Sequence, residues 1–351
     1  MRKRSRDAES RQREQRSAAD ALEADGRWLE AIARWSDLNR AAPSSEIETR
    51  LIALRHRAAD AMGRPEPAPP WDRAYADPFP QVRGRAPEVT RAGLTAEVLG
   101  GAIRHHGCLL VRGLLEAEVA VDLASTISRV FAALGAPATG SPDETSGWYA
   151  PDPVYTRRNP NPGLARAMVQ GHGAIFAADS PRGFFEVVQA LDAAGVPEIV
   201  AEYFGEPALA TVDKFSLRRM HPQPAPAWHQ DGSFLDDAVR TVDVWIALSE
   251  CGESTESPGL EILPRRLEQL VECGAPGSRV QIEVLDDEVR RAGDGVLPVS
   301  PTFQPGDALL FDHLFLHTPG TGPGFTKDRY AIECWMFPPS SIQQSYVPIL
   351  L

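Results

Sequence analysis

The stretch "ALLFDHLFLHTP", residues 308–319, reads as a strand that carries polar chemistry in an otherwise apolar run. Four more runs of strand texture share the second half of the chain. They are "ALATVDKFSLRRM" (208–220), "TVDVWIALSE" (241–250), "SRVQIEVL" (278–285) and "RYAIECWMF" (329–337). Proline and glycine turns separate them. Many strands late in the chain, with helices confined to its start, predict a mainly β fold with flanking helices. The expected class is α+β, with a β-sandwich or a double-stranded β-helix (jelly roll) as its core.

Upstream, "LTAEVLGGAIRHHG" predicts an amphipathic helix, "CLLVRGL" a buried strand and "EAEVAVDLASTISRVFAALG" a long helix, with a helical pair over 180–204. The first sixty residues predict helices near 12–25, 28–41 and 45–62. Within them Gly26, Trp28, Ala31, Trp35, Leu38 and Pro43 alternate small, aromatic and apolar positions before a terminating proline. That rhythm resembles the second half of a tetratricopeptide unit. A plain amphipathic hairpin fits it equally well, and about one and a half repeats are too few for a solenoid core. The piece is therefore expected to pack on the main domain or on a partner protein. Residues 63–87 are rich in proline and read as an extended arm. The expected organisation is a helical appendage at 1–62, an arm at 63–92 and a main domain at 93–351.

Composition narrows the function. The 351 residues are 43% hydrophobic and 24% charged, ordinary for a globular protein. A net charge of −12 opposes nucleic-acid binding. No apolar run is long enough to span a membrane, and "MRKRSRDAESRQREQR" lacks the apolar core of a secretory signal. The four cysteines (Cys108, Cys251, Cys273, Cys334) form neither a CxxC pair nor a zinc pattern, which suits reduced thiols in a cytoplasm.

Eight histidines are present. His56 reads as a surface residue of the appendage, and His105 and His106 as favourable cations at a helix end. His172 reads as a loop or pocket residue, and His221 has no clear partner. Two clusters remain. In "WHQDGSF" (228–234), His229 and Asp231 lie two apart at the entrance to a predicted strand, where they would share a face. In the run 308–319, His313 and His317 lie four apart and would also share a face; spacing alone does not separate them. Two imidazoles and one carboxylate make the facial triad that leaves three positions open on Fe(II). Arg329 follows twelve residues after His317 and suits the far carboxylate of a 2-oxo acid.

From about Leu94 to Phe337 the chain resembles the phytanoyl-CoA dioxygenase family of Fe(II)/2-oxoglutarate oxygenases. The pieces that carry the resemblance are "WHQDGS", "VWIAL", "SPGLEILP", "PGDALLFDHLFLH" and "RYAIECW", in the family's order. The resemblance implies His229, Asp231 and His317 as iron ligands and Arg329 as the 2-oxoglutarate anchor. His317 is preferred to His313 because the family's distal histidine closes the apolar run. Trp245 matches a family aromatic near the site. The chain departs from the pattern at Pro319, where the family has Ser or Thr, and at Ser216, where it often has Asn. Thr318 and Lys214 are expected to take over those cosubstrate contacts.

The implied reaction consumes 2-oxoglutarate and O₂, releases succinate and CO₂, and hydroxylates or otherwise oxidises an unactivated C–H bond of a small molecule. The intact Asp231 favours this over halogenation. A non-catalytic jelly-roll binding protein and a cupin-like metalloenzyme without 2-oxoglutarate are the alternatives. "GWYAPDPVYTRRNPNPG" (147–163) reads as a lid, with Arg157 and Arg158 as candidate contacts for an anionic substrate. The appendage is expected to mediate protein contact, for instance with a carrier that presents a tethered substrate.

Overall fold

The computed structural model describes residues 2–65, 74–135, 147–222, 227–235 and 239–351. The chain opens with helices α1 (Arg2–Ala24), α2 (Trp28–Ala41) and α3 (Ser45–Met62). Next come β1 (Glu88–Thr90), α4 (Ala96–His106), β2 (Cys108–Arg112) and α5 (Ala117–Leu134). Then follow α6 (Pro153–Arg158), α7 (Pro162–Gly171), β3 (Ala174–Phe176), α8 (Pro181–Ala194) and α9 (Val196–Phe204). The last part holds β4 (Leu209–Met220), β5 (Val242–Ala247), β6 (Leu260–Ile262) and α10 (Asp286–Gly293). It ends with β7 (Ala308–Phe311), β8 (His317–Pro319), β9 (Arg329–Phe337) and β10 (Pro348–Leu350).

One mixed sheet of eight strands runs β1-β2-β7-β5-β9-β4-β10, with β3 pairing on β4, and β6 and β8 form a separate small sheet. Among the described residues only β1 and β2 pair in parallel. The large sheet is covered on both faces, so its central strands read as continuous apolar runs such as "CLLVR" and "ALLF". Period-two alternation sends Leu109, Val244, Leu310 and Ile332 to one side, into a core shared with α4, α5, α8 and α9. Cys108, Leu110, Trp245, Leu309, Phe311 and Ala331 point the other way. There they share a core with Leu260 and Ile262 of the small sheet and with Phe303 and Phe315. The two sheets thus enclose an interior between them, and the site lies on that side.

Three sequence expectations are corrected. "SRVQIEVL" forms no strand: residues 278–282 turn, the Glu283 carboxylate accepts from the backbone and guanidinium of Arg279, and Val280 is exposed. Its alternation was that of a surface turn, with no neighbouring strand to pair. "ALLFDHLFLHTP" is two strands, because Asp312 makes a turn: Oδ1 accepts from Leu314 N at 3.1 Å and its carbonyl from Phe315 N at 3.0 Å. The chain leaves the large sheet at Phe311 and joins the small one at His317. Finally, "WHQDGSF" enters no strand; His229 makes an isolated bridge and Asp231–Phe234 is a 3-10 turn.

The helical appendage shares a core with the sheet. Ala31, Trp35 and Leu38 of α2 and Leu51 and Leu54 of α3 pack in one cluster with Leu209, Trp335, Phe337 and Leu350. Polar contacts fix the same seam. Arg55 donates to Leu350 O at 3.1 Å. His56 has Nδ1 2.7 Å from Pro348 O and Nε2 3.0 Å from an Asp152 carboxylate oxygen. His56 is thus buried, not the surface residue its helix suggested; the apolar stripe of α3 conceals one imidazole whose two nitrogens both face acceptors.

Candidate metal centre

His229, Asp231 and His317 converge, each offering a donor atom within 4.8 Å of the others. His229 and His317 sit opposite each other, their backbones exchanging N–H···O=C bonds of 3.0 and 3.1 Å. Nδ1 of His229 is 2.9 Å from Ala227 O, and Nδ1 of His317 is 3.1 Å from Phe315 O. Each imidazole spends its Nδ1 proton on a carbonyl two residues back, so each Nε2 lone pair is left for a metal. Those Nε2 atoms lie 3.7 and 4.0 Å from the two oxygens of Asp231. Burial and the neighbouring His229 push His317 down to about 4, so it is neutral and competent as a ligand at physiological pH. His229 is the most exposed of the three side chains, which places the open side there.

The turn that aims Asp231 is held from below. Gln230 is buried, donates to Leu314 O at 2.6 Å and accepts from Val271 N at 2.6 Å. Gly232 N donates to His313 O at 2.8 Å. A Cβ at Gly232 would stand 2.7 Å from Leu270 Cδ2 and 3.0 Å from His313 O, so only glycine lets the turn sit this close. His313 is thereby placed behind the turn rather than among the ligands. The broken strand separates two histidines that an ideal strand would have put on one face.

Two acidic residues beside the triad were missed in the sequence. Asp243, on β5, is fully buried, and neither carboxylate oxygen meets a donor. Burial, the Asp231 charge and a hydrogen bond to Asp231 push it well above the usual carboxylate range. Burial beside the Asp231 charge thus favours the protonated form of Asp243. Burial raises Asp231 too, but His317, His229 and this hydrogen bond outweigh it and hold Asp231 below its ordinary value. Glu333, on β9, pairs in register with both Ser216 and Trp245, and its carboxylate lies 2.6 Å from Arg218 Nε. The signal was present: each is a lone charge in an apolar strand run, on the parity that faces the interior.

Arg329 is 1% exposed at the start of β9. It donates to Gly259 O at 2.8 Å and lies over the Trp245 ring at 5.3 Å, while Nε has no partner. Burial lowers it to about 10, so it stays cationic at neutral pH, and no carboxylate pairs with it among the described residues. A buried guanidinium without an anion is costly unless one binds. Trp245 is buried edge-on to Phe303 at 4.9 Å.

The expected auxiliary residues scatter. Ser216 lies on the interior face of β4, and its Oγ accepts from Arg218 Nε at 3.2 Å. The Lys214 ammonium rests 4.2 Å from the Phe234 ring and 4.1 Å from that of Trp335, an aromatic cage at the edge of the site. Burial lowers its pKa while Asp231 opposes the shift. Thr318 is buried with Oγ1 unpartnered, but as the residue after His317 on β8 it points to the opposite face.

The expected lid is largely tied down. Asp152 accepts from Val154 N and Tyr155 N, and Arg166 clasps Asp179 at 2.6 and 2.9 Å. Arg158 pairs with Asp60 on α3, and Arg157 is exposed. Residues 136–146, just before it in sequence, and 66–73 of the arm lie outside the described residues. His105 and His106 hold the arm instead of capping α4: they contact Tyr75 O at 2.8 Å and Asp77 at 2.9 Å, while Gly107, at φ 84°, ends the helix. His221 does have a partner, the carboxylate of Asp328. His172 is an exposed loop residue bonded to Met168 O.

No family model matches the chain, and neither does any curated protein. Solved structures are similar at low identity. The non-heme alpha ketoglutarate dependent epimerase SnoN from nogalamycin biosynthesis is 14% identical over 69% of this chain and 80% of that one, with a TM-score of 0.44. The same epimerase in complex with Fe3+, alpha ketoglutarate and nogalamycin RO gives 14%, 70%, 87% and 0.45. AviO1 from Streptomyces viridochromogenes Tue57 is 17% identical over 71% of this chain and 98% of that one, at 0.44. Similarity this distant bears on neither reaction nor substrate, which the residues themselves must carry. Among the described residues no helix is long and apolar enough to cross a membrane.

Proposed function

We propose that this chain is an Fe(II)/2-oxoglutarate-dependent oxygenase that hydroxylates or otherwise oxidises an unactivated C–H bond of a small molecule. The reading takes the two facing sheets as a jelly roll and the site as one of the phytanoyl-CoA dioxygenase type. One observation carries it: two imidazoles with their Nε2 atoms free and one carboxylate converge, and on the same interior side of the large sheet, over Trp245, lies a buried arginine with no carboxylate partner among the described residues. The donor set fits Fe(II), whose facial triad leaves three positions for cosubstrate and O₂. The arginine fits the distal carboxylate of a 2-oxo diacid.

When bound, iron with 2-oxoglutarate and O₂ supplies the oxidising power, and succinate and CO₂ leave as co-products. The protein's own residues do the positioning. Ala227 and Phe315 carbonyls fix the imidazole tautomers, and the neighbouring His317 and His229 help keep the Asp231 carboxylate ionised despite its burial. Arg329, braced on Gly259 O and Trp245, would hold the far end of the cosubstrate. Phe311, Phe315 and Trp245 line the interior and keep it poor in water.

The test is an anaerobic titration of 2-oxoglutarate into Fe(II)-loaded protein, watching for the weak visible charge-transfer band of the chelate. The reading expects the band in the wild type and a far higher 2-oxoglutarate requirement in Arg329→Met. No band at saturating 2-oxoglutarate, or a variant that titrates like the wild type, would sink it. A cupin-like enzyme would bind metal and give neither band nor dependence on Arg329.

A further inference from the structure

The turn that carries Asp231 ends at Phe234, whose side chain is not held by burial, since the residue is 44% exposed. What touches the ring is the Lys214 ammonium, 4.2 Å from its centroid, while the Phe234 carbonyl accepts from the Tyr346 hydroxyl at 3.4 Å. The same ammonium lies 4.1 Å from the centroid of Trp335 and 5.8 Å from that of Tyr346. One cation thus joins three rings: one from the Asp231 turn, one from β9 and one from the segment before β10.

Lys214 is half-buried, yet among the described residues its ammonium makes no hydrogen bond and no ion pair. Burial lowers its pKa against the pull of Asp231 and Glu333. The aromatic faces are therefore its main direct contacts, and such attraction grows where water is scarce. The cage is rooted in the body of the fold. Lys214 rises from β4, which pairs with β9, and Trp335 packs with Trp35 of α2 and Leu51 and Leu54 of α3 in the core shared with the appendage. Gln230 and Gly232 pin the entry of the turn; at its exit the side-chain contact is Lys214.

We infer that Lys214 is a positioning residue of the metal centre: through Phe234 it clamps the exit of the turn and so fixes the direction of the Asp231 carboxylate. The inference rests on His229, Asp231 and His317 being the metal ligands, and not on which oxidation the iron serves. A purely electrostatic role has the opposite sign. A cation beside a metal site repels a divalent ion, so loss of its charge alone would tighten metal binding. Loss of the clamp weakens it.

Mn(II) is the probe, titrated calorimetrically into full-length protein near neutral pH, with a thermal melt of every variant. Lys214→Met, which keeps the length and removes the charge, should bind Mn(II) about tenfold or more weakly. Lys214→Arg, whose guanidinium stacks on aromatic faces, should recover affinity to within about threefold of wild type. Phe234→Leu should lose as much as Lys214→Met, and the double variant should be no weaker than either single one. Unchanged or tighter binding by Lys214→Met, an arginine variant no better than the methionine one, or additive losses would each overturn the inference. Unchanged Mn(II) affinity with a raised 2-oxoglutarate requirement would make Lys214 a cosubstrate contact and overturn it too. Should Lys214→Met not fold, Phe234→Leu, made at an exposed ring, decides alone: wild-type affinity there refutes the clamp. A wild type that binds no Mn(II) would instead overturn the metal centre, and the oxygenase reading with it.

Discussion

His229 and His317 face each other across a two-bond backbone bridge, and their rings stand 4.5 Å apart centroid to centroid. The spacing of the two imidazoles is therefore set by main-chain hydrogen bonds between distant parts of the chain, not by side-chain packing alone. It is also why His317, and not His313, completes the donor set: His313 sits before the chain has reached the bridge.

The first prediction follows from that relationship. His317→Ala should lower affinity for Mn(II), a redox-silent stand-in, by more than about 100-fold, since even outer partners of a ligand are worth 10–100-fold. His313→Ala should stay within about threefold of wild type. Calorimetric titration of the two variants checks this, and a reversed order would put the third ligand at His313.

Gly232 supports the second. Alanine there would drive a Cβ against Leu270 and the His313 carbonyl, displacing the turn that aims Asp231. Gly232→Ala should cost about 1–3 kcal/mol of stability and weaken Mn(II) binding as well. Urea unfolding and metal titration on the same protein test both. Lost stability with unchanged affinity would mean the turn relaxes without moving Asp231.

Much of this was legible in the sequence because strand texture and residue type act locally. The run 329–337 is β9 to the residue, and β4 lies one residue inside its expected start. The triad residues stand out in the sequence by residue type and by the resemblance. What was not legible is long-range. The break at Asp312 depends on a side chain that caps its own turn, and an unbroken apolar run hides it. Thr318 follows His317 directly in sequence, yet the pleat turns it to the opposite face. His56 sits on an ordinary amphipathic helix, and nothing local marks the carbonyl of Pro348 or the carboxylate of Asp152 as its partners.

That last contact makes the third prediction. The appendage and the sheet share one core, so α1–α3 should not be removable. A chain lacking residues 1–62 would expose Trp335, Phe337 and Leu350 and should be insoluble or molten. In the full chain, His56→Ala should cost about 2–4 kcal/mol by stranding buried acceptors and the Asp152 carboxylate. Solubility and thermal melts measure these. A truncated protein with a wild-type melt would show the seam to be dispensable.

The fourth concerns Asp243 and Asp231 in metal-free protein. Burial and the Asp231 charge raise Asp243 far above its unfolded value of about 4. Between those two values the folded chain holds a proton that the unfolded chain has released, so folding takes up a proton. Stability then falls as pH rises through that window, by up to about 1.4 kcal/mol per pH unit from this group. Asp243→Asn removes the requirement, because a carboxamide is neutral at every pH. The variant should match wild type near pH 4 and become progressively more stable than it toward neutral pH. Urea unfolding in EDTA across pH 4–8 reads the gap directly. Parallel curves for the two proteins would mean that Asp243 ionises in the fold.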